Sequence, residues 1–189
     1  KQNLTFLKMA QVTESGDSYG QITASLPVGA EAEGLAHIWN ITWVRDQAYA
    51  AVALARAGKL DEARAALEFT LQGKAGGYTE QVGQDYGLSV CRLYGDGSEW
   101  SDDDGTGPNI ELDNFGLTLW AIGVYVDAGG DSDIWTDLNV MADVADPLVN
   151  AIDDLGLIQA DSSIWERHWN GNEKHFTYTS AWAVRGLME

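Results

Sequence analysis

The segment WNITWVRDQAY, residues 39–49, brings aromatic and charged side chains together at the start of a predicted helix. Its candidate binding residues are Trp39, Trp43, Arg45 and Asp46. A pyranose ring has an apolar face and a rim of hydroxyl groups, so its binding site needs flat rings for stacking and charged groups for hydrogen bonds. A structural interpretation also fits, in which the tryptophans pack in the core, Asp46 lies in the first helical turn and Arg45 forms an ion pair. The segment alone leaves both interpretations open.

A second segment contains Glu166 between Trp165 and Trp169. Contact with indole rings removes water from a carboxyl group, and this desolvation raises its pKa. A carboxyl group that stays protonated near neutral pH can donate a proton to a departing glycosidic oxygen. A surface glutamate paired with Arg167 or Lys174 explains the same residues equally well. This segment therefore does not decide by itself between catalysis and structure.

Apolar residues spaced by three and four predict the helices that must hold these side chains. In chain order we expect helices within residues 3–13, 43–57, 60–73 and 112–124, one from about Ser132 that Pro147 kinks, and one from Ser180 onward. Residues 74–109 form a long loop rich in Gly, Asp and Ser, and neither a βαβ rhythm nor a hairpin is indicated. The sequence therefore predicts an all-α fold in a single domain over residues 1–189.

Composition limits the classes of partner and cofactor. The formal net charge of the 189 residues is -18, which disfavours nucleic acid and anionic membranes and suits a neutral substrate. Cys91 is the single cysteine and the three histidines lack a ligand-pair spacing, so we expect no disulfide, metal or cofactor. No apolar run approaches the roughly 20 residues of a membrane span. The compartment stays open, because KQNLTFLKMA resembles the interior of a longer protein.

Three motifs in the same order resemble family 15 of the glycoside hydrolases, typified by glucoamylase. WVRD at residues 43–46, with the aromatic Trp39 four residues before it, is similar to the family's first substrate-binding segment, and GQITASLPVG resembles the stretch upstream of it. ELDNFG at residues 111–116 follows, and then DSSIWE at residues 161–166 with FTYTSAW after it. The resemblance covers nearly the whole chain.

The resemblance implies an (α/α)6 barrel of six inner and six outer helices that releases glucose from non-reducing ends of α-linked glucosides with inversion. By the same carry-over, Glu166 would be the general acid, and Arg45 and Asp46 would hydrogen-bond the terminal glucose. Trp39, Trp43 and Trp165 would complete the substrate-binding residues. Glucoamylase, glucodextranase and trehalase activities all remain open within this resemblance.

The chain departs from the family pattern in its second carboxylate. The family's general base lies on a segment that would follow Glu189, so this chain resembles the N-terminal half of the barrel and is expected to be inactive alone. Glu80, Glu99 and Glu111 are the internal candidates for a replacement base, although none lies in a matching motif. Inversion requires two carboxylates roughly 6.5 to 9.5 Å apart with a water molecule between them.

Further expectations follow from the same departures. Relatives often carry an arginine in the glycine-rich loop that contacts sugar, and this chain offers only Arg92 there. In that loop SDDDGTG faintly resembles a calcium site, but its acidic residues lack the alternating ligand spacing, so a solvated loop is expected.

Half a barrel would expose apolar inner helices, which predicts coverage by a homodimer partner or by the missing C-terminal half. The alternative function is a non-catalytic sugar-binding or regulatory domain.

Overall fold

The structure is a computed structural model that describes residues 2–25, 40–103, 105, 107–164 and 171–189. Helix is the dominant regular structure, as the all-α prediction requires, and it is accompanied by one small sheet. The helices are α1 (Gln2–Ala10), α2 (Val44–Arg56), α3 (Leu60–Leu71), α4 (Thr79–Val82), α5 (Asp113–Asp127), α6 (Ile134–Asp137), α7 (Asp146–Asn150) and α8 (Thr177–Gly186). A π-helical turn, Met141–Ala145, precedes α7.

Helices α2 and α3, predicted from the sequence as two consecutive helices, form a helical hairpin. Gly58 connects them with a φ of +70°, a conformation that costs glycine little because it has no Cβ. The amide of Gln47 is fully buried between the two helices and satisfies its hydrogen bonds there. Its Nε2 donates to the carbonyl oxygens of Gly20 and Ala66, and its Oε1 accepts from the backbone N–H of Ile22. Gln47 therefore ties the segment before α2 to the hairpin.

Helix α5 is apolar nearly all round and is buried on most sides, as its sequence predicts. It packs against α2, α3 and α8. Its contact with α8 is so close that a Cβ added to Gly116 would lie 2.2 Å from the carbonyl oxygen of Trp182. Asp113 at the start of α5 lies near Tyr178 at the start of α8, and Gly123 farther along α5 lies near Glu189. The two helices therefore run parallel, with both N-termini at the same end.

A three-stranded antiparallel sheet joins the loop regions, and the prediction that no hairpin is present is wrong. Its strands are β1 (Thr42–Trp43), β2 (Arg92–Leu93) and β3 (Glu99–Trp100), in the order β1-β2-β3. The hairpin between β2 and β3 turns through Gly95, Asp96 and Gly97, where the N–H of Gly97 donates to the carbonyl oxygen of Tyr94 and Gly97 has a positive φ of 76°, a combination typical of three-residue hairpin loops. Two-residue strands are too short to show alternating hydrophobicity, which is why only the turn residues signal them.

The helix predicted from Ser132 is interrupted. Helix α6 ends at Asp137, and Asn139 follows with a positive φ of 48°. Pro147 is the second residue of α7, directly after the π-helical turn, where the N–H of Asp146 donates to the carbonyl oxygen of Met141 five residues earlier. The wider π turn accommodates the missing proline N–H. The residues that face the core are Ile134, Val140, Val144, Ala145 and Leu148, whereas Met141 and Ala142 are exposed.

Within the described ranges, no helix is both long and apolar enough to cross a bilayer.

The α5–α8 contact generates a stability prediction. Gly116→Ala should lower the free energy of unfolding by about 1–3 kcal/mol, because its new methyl group meets rigid backbone atoms of Trp182. Gly123→Ala is the matched control in the same helix, since its methyl group meets only the flexible side chain of Glu189. Alanine also has the higher helix propensity, so this control should be neutral or stabilising. Urea unfolding followed by tryptophan fluorescence measures both, and equal effects of the two substitutions would contradict the close contact.

Candidate functional site

The starts of α2, α5 and α8 meet at one end of the helical core. Arg45 in the first turn of α2 binds Asp113 at the first residue of α5. Asp161 joins α5 to α8, because its Oδ2 accepts both the backbone N–H of Leu112 and the hydroxyl of Thr179. Helix N-termini carry partial positive charge and unpaired N–H groups, so this end favours anionic and hydrogen-bonding groups.

Arg45 is held by two carboxylates that are fully buried. Its Nε donates to Oδ2 of Asp113 at 2.9 Å and its Nη2 donates to Oδ1 of the same residue at 3.2 Å. Nη2 also lies 2.9 Å from Oε2 of Glu111. Such a two-point contact between a guanidinium and a carboxylate fixes the orientation of the planar group. These contacts are made by Nε and Nη2, and the two N–H groups of Nη1 take no part in them.

The two carboxylates keep Arg45 charged. Burial by itself would lower the pKa of Arg45, but the attraction of Glu111 and Asp113 outweighs burial and raises that pKa above its ordinary value. The side chain of Arg45 is 14% exposed, so the cation borders solvent while its two partners do not. Arg45 is therefore a permanent, oriented donor at the edge of the core.

Asp161 is a third buried carboxylate of this cluster. Its Oδ1 accepts the N–H of Ser163 at 3.2 Å, in addition to the two bonds on Oδ2. Burial, and after it the nearby charge of Asp113, raise the pKa of Asp161 to about 7, although the hydrogen bonds donated to this carboxylate act in the opposite direction. Its backbone also pairs with Lys174 in both directions, at 3.0 and 3.1 Å. The backbone pairing of Asp161 with Lys174 thus holds together the two ends of the segment between them.

Four aromatic side chains extend from the Arg45 site along α2, α5 and α8. They are Tyr49, Trp120, Tyr178 and Trp182, with ring centroids 4.9–6.3 Å apart. Tyr49 is exposed and the other three are half-buried. Burial, the hydrogen bond with Tyr49 and the charge of Asp113 raise the pKa of Tyr178, so its hydroxyl stays protonated. The cluster offers apolar ring surface beside a fixed cation.

The predicted site residues divide into those that the structure describes and those that it does not. Trp43, Arg45 and Asp46 lie around the start of α2, with Trp43 buried and Asp46 exposed. Glu166, Trp39 and Trp165 lie outside the described residues. The roles assigned to all six therefore stay predictions.

Two of the candidate replacement bases have structural partners. Glu99 accepts hydrogen bonds from the backbone N–H groups of Gly77 and Val90 and from the hydroxyl of Tyr86, and so holds the loop before β2. Glu111 is paired with Arg45, as described above. Glu80 is an exposed residue of α4.

The acidic loop that faintly resembles a calcium site uses its described carboxylates within the chain. Asp102 forms an ion pair with the buried Arg92. Oδ1 of Asp103 accepts the backbone N–H groups of Gly105 and Gly107, which closes a turn.

Asp113 and Asp161 were not assigned roles from the sequence, and Glu111 was considered only as a replacement base. Glu111 and Asp113 belong to ELDNFG, and Asp161 opens DSSIWE, so each lies in a motif that was noticed for another reason. Their signal is an acidic residue at the start of an otherwise apolar helix or beside the candidate acid. That signal does not say which cation or N–H group each carboxylate meets.

Comparisons of the chain with protein-family models, curated proteins and solved structures find no match.

The pKa of Asp161 generates a pH prediction. Its folded-state pKa of about 7 lies above the unfolded value of about 3.9, so the folded state binds more protons between these pH values. Raising the pH through that window should therefore lower the free energy of unfolding. Asp161→Asn cannot ionise and should lack this loss, which is on the order of 1–4 kcal/mol. Urea unfolding of both proteins from pH 4.5 to 8 measures the difference, and parallel pH profiles would contradict the prediction.

The Arg45–Asp113 contact generates a coupling prediction. A double-mutant cycle with Arg45→Met and Asp113→Asn should give an interaction energy of about 1–3 kcal/mol, because the contact is buried and consists of two parallel hydrogen bonds. The control cycle uses Arg64→Met and Glu68→Gln, which form an i,i+4 pair on the surface of α3. That pair should give about 0.3–0.5 kcal/mol. Equal coupling in the two cycles, measured by urea unfolding, would count against Arg45 as the anchor of the site.

Proposed function

We propose that this chain is the acid-bearing half of an inverting α-glucoside hydrolase of the glucoamylase type. In this proposal Arg45 and Asp46 bind the non-reducing glucose unit and Glu166 is the general acid. The observation that carries the proposal is the clamped guanidinium of Arg45, which lies at the meeting point of three helix starts and whose Nη1 takes no part in the contacts with Glu111 and Asp113. Asp46, the next residue of α2, is exposed.

The arrangement of the helices supports a barrel-type fold. Helices α2, α5 and α8 share one end for their N-termini, and the hairpin partner α3 runs back beside α2. Alternation of parallel inner helices with antiparallel outer helices is what half of an (α/α)6 barrel requires. The exposed side of the aromatic cluster would then face the interior that the other half completes.

The chemistry of the site suits a neutral sugar. A hydroxyl group accepts hydrogen bonds from the guanidinium of Arg45 and donates to the carboxylate of Asp46, so the two side chains together can hold adjacent hydroxyls. The aromatic cluster offers ring surface for the apolar face of the sugar. The net charge of -18 disfavours an anionic substrate.

The proposed reaction needs two carboxyl groups with different roles. Glu166 donates its proton to the glycosidic oxygen, and the bond between that oxygen and the anomeric carbon breaks. A water molecule attacks the opposite face of the anomeric carbon while a general base removes its proton, which inverts the configuration. The base is proposed to come from outside residues 1–189, because the family resemblance places it on a segment that would follow Glu189.

Glucose release from maltose and isomaltose tests this function. The assay compares this chain, the longest version that its gene encodes, and that version with Glu166→Gln. We expect activity in the long version and a loss of at least about 100-fold on substitution, because a general acid contributes that much or more. Glu14→Gln removes an exposed carboxylate on the N-terminal segment and is the matched control that should keep activity.

The outcomes separate the two functions raised by the sequence. Activity that survives Glu166→Gln would show that Glu166 is not the general acid. Absence of activity in every version, together with maltose binding by calorimetry, would favour the sugar-binding or regulatory domain. Absence of both activity and binding would reject the glucoside interpretation altogether.

A further inference from the structure

Arg92 is the centre of a three-residue stack across the sheet. In the register of the sheet, Arg92 of β2 pairs with Trp43 of β1 on one side and Trp100 of β3 on the other. Its guanidinium carbon lies 4.6 Å from the ring centroid of Trp43 and 4.1 Å from that of Trp100. A cation over an aromatic face is attracted by the negative charge density of the ring. The stack therefore fixes the position of Trp43.

The residues just before Arg92 connect the two helix starts that build the Arg45 site. The carbonyl oxygen of Cys91 accepts the N–H of Val44, the first residue of α2, at 3.1 Å. The carbonyl oxygen of Val90 accepts the N–H of Glu111 at 3.0 Å and Nδ2 of Asn114 at 3.0 Å. The two consecutive residues just before β2 thus hold the start of α2 and the start of α5.

Arg92 is placed to orient this connection and is not placed to contact a ligand. Its side chain is 1% exposed, and its guanidinium forms an ion pair with Asp102. A buried cation loses its hydration and must be compensated by partners of fixed geometry, here two rings and one carboxylate. The expectation of a sugar-contacting arginine in this loop does not fit such a buried position.

We infer that Arg92 is a positioning residue of the Arg45 site. By holding Trp43 in the stack it fixes the strand that leads into α2, and so it holds Arg45 against Glu111 and Asp113. The relevance to sugar binding rests on the proposed function, whereas the orientation of Arg45 does not. Lysine cannot replace arginine fully here, because its point charge lacks the planar group that lies between two rings.

The test reads the Arg45–Asp113 contact directly in the intact chain. The Nε–H of Arg45 gives its own signal in a ¹H–¹⁵N spectrum, which Arg45→Lys identifies by removing it. The hydrogen bond to Asp113 should protect the Nε–H of Arg45 from exchange with water. We expect Arg92→Met to abolish this signal and Arg92→Lys to weaken it. Leu93→Ala is the matched control, because Leu93 is equally buried on the same strand but packs beside Gly73. This control should destabilise the chain and leave the signal in place.

A second reading measures maltose affinity of the same proteins. Arg92→Met should raise the dissociation constant at least about tenfold, as loss of a charged hydrogen bond does, and Leu93→Ala should not. An Arg45 signal that is unchanged in both Arg92 variants, or changed equally by Leu93→Ala, would overturn the positioning role. If Arg92→Met does not fold, Arg92→Lys alone decides. Failure of the wild-type chain to bind maltose would reject the proposed function, while the Arg45 signal would still decide on Arg92.

Discussion

The contact of Arg45 with Glu111 and Asp113 is the interaction on which the arrangement of this molecule depends. It joins the first turn of α2 to the start of α5, two segments almost 70 residues apart along the chain. Both carboxylates are fully buried and would be costly without a cation, so the guanidinium has to be present and correctly oriented. The ion pairs therefore fix the start of α2 relative to the start of α5, in addition to the packing between the two helices.

The same end of the core combines hydrogen bonds, charge and apolar contact in a way that favours one geometry. Asp161 adds α8 to the cluster through Leu112 and Thr179, and close packing at Gly116 sets the distance between α5 and α8. Burial, and after it the negative charge of nearby Asp113, raise the pKa of Asp161. The site is thus rigid in its backbone and sensitive to pH in its charge.

Helices were predictable from the sequence where the spacing of apolar residues stayed regular over several turns. The hairpin of α2 and α3 and the apolar helix α5 were placed within a few residues, because three or more turns of regular spacing outweigh local ambiguity. The sheet was missed because its strands have only two residues each. The helix from Ser132 was predicted as continuous because Asn139 carries no strong breaker signal in the sequence. The family resemblance, with its barrel and its acid Glu166, remains a prediction.

By itself, the sequence determined that this chain is mainly helical, strongly acidic and equipped with an arginine and an aspartate at the start of a helix. Those properties follow from spacing and composition, which are local. Tertiary structure alone decided that Glu111 and Asp113 clamp Arg45 and that Arg92 lies between Trp43 and Trp100. Ion pairs and stacks between distant segments depend on how helix ends converge, and no local pattern encodes which carboxylate will meet which cation.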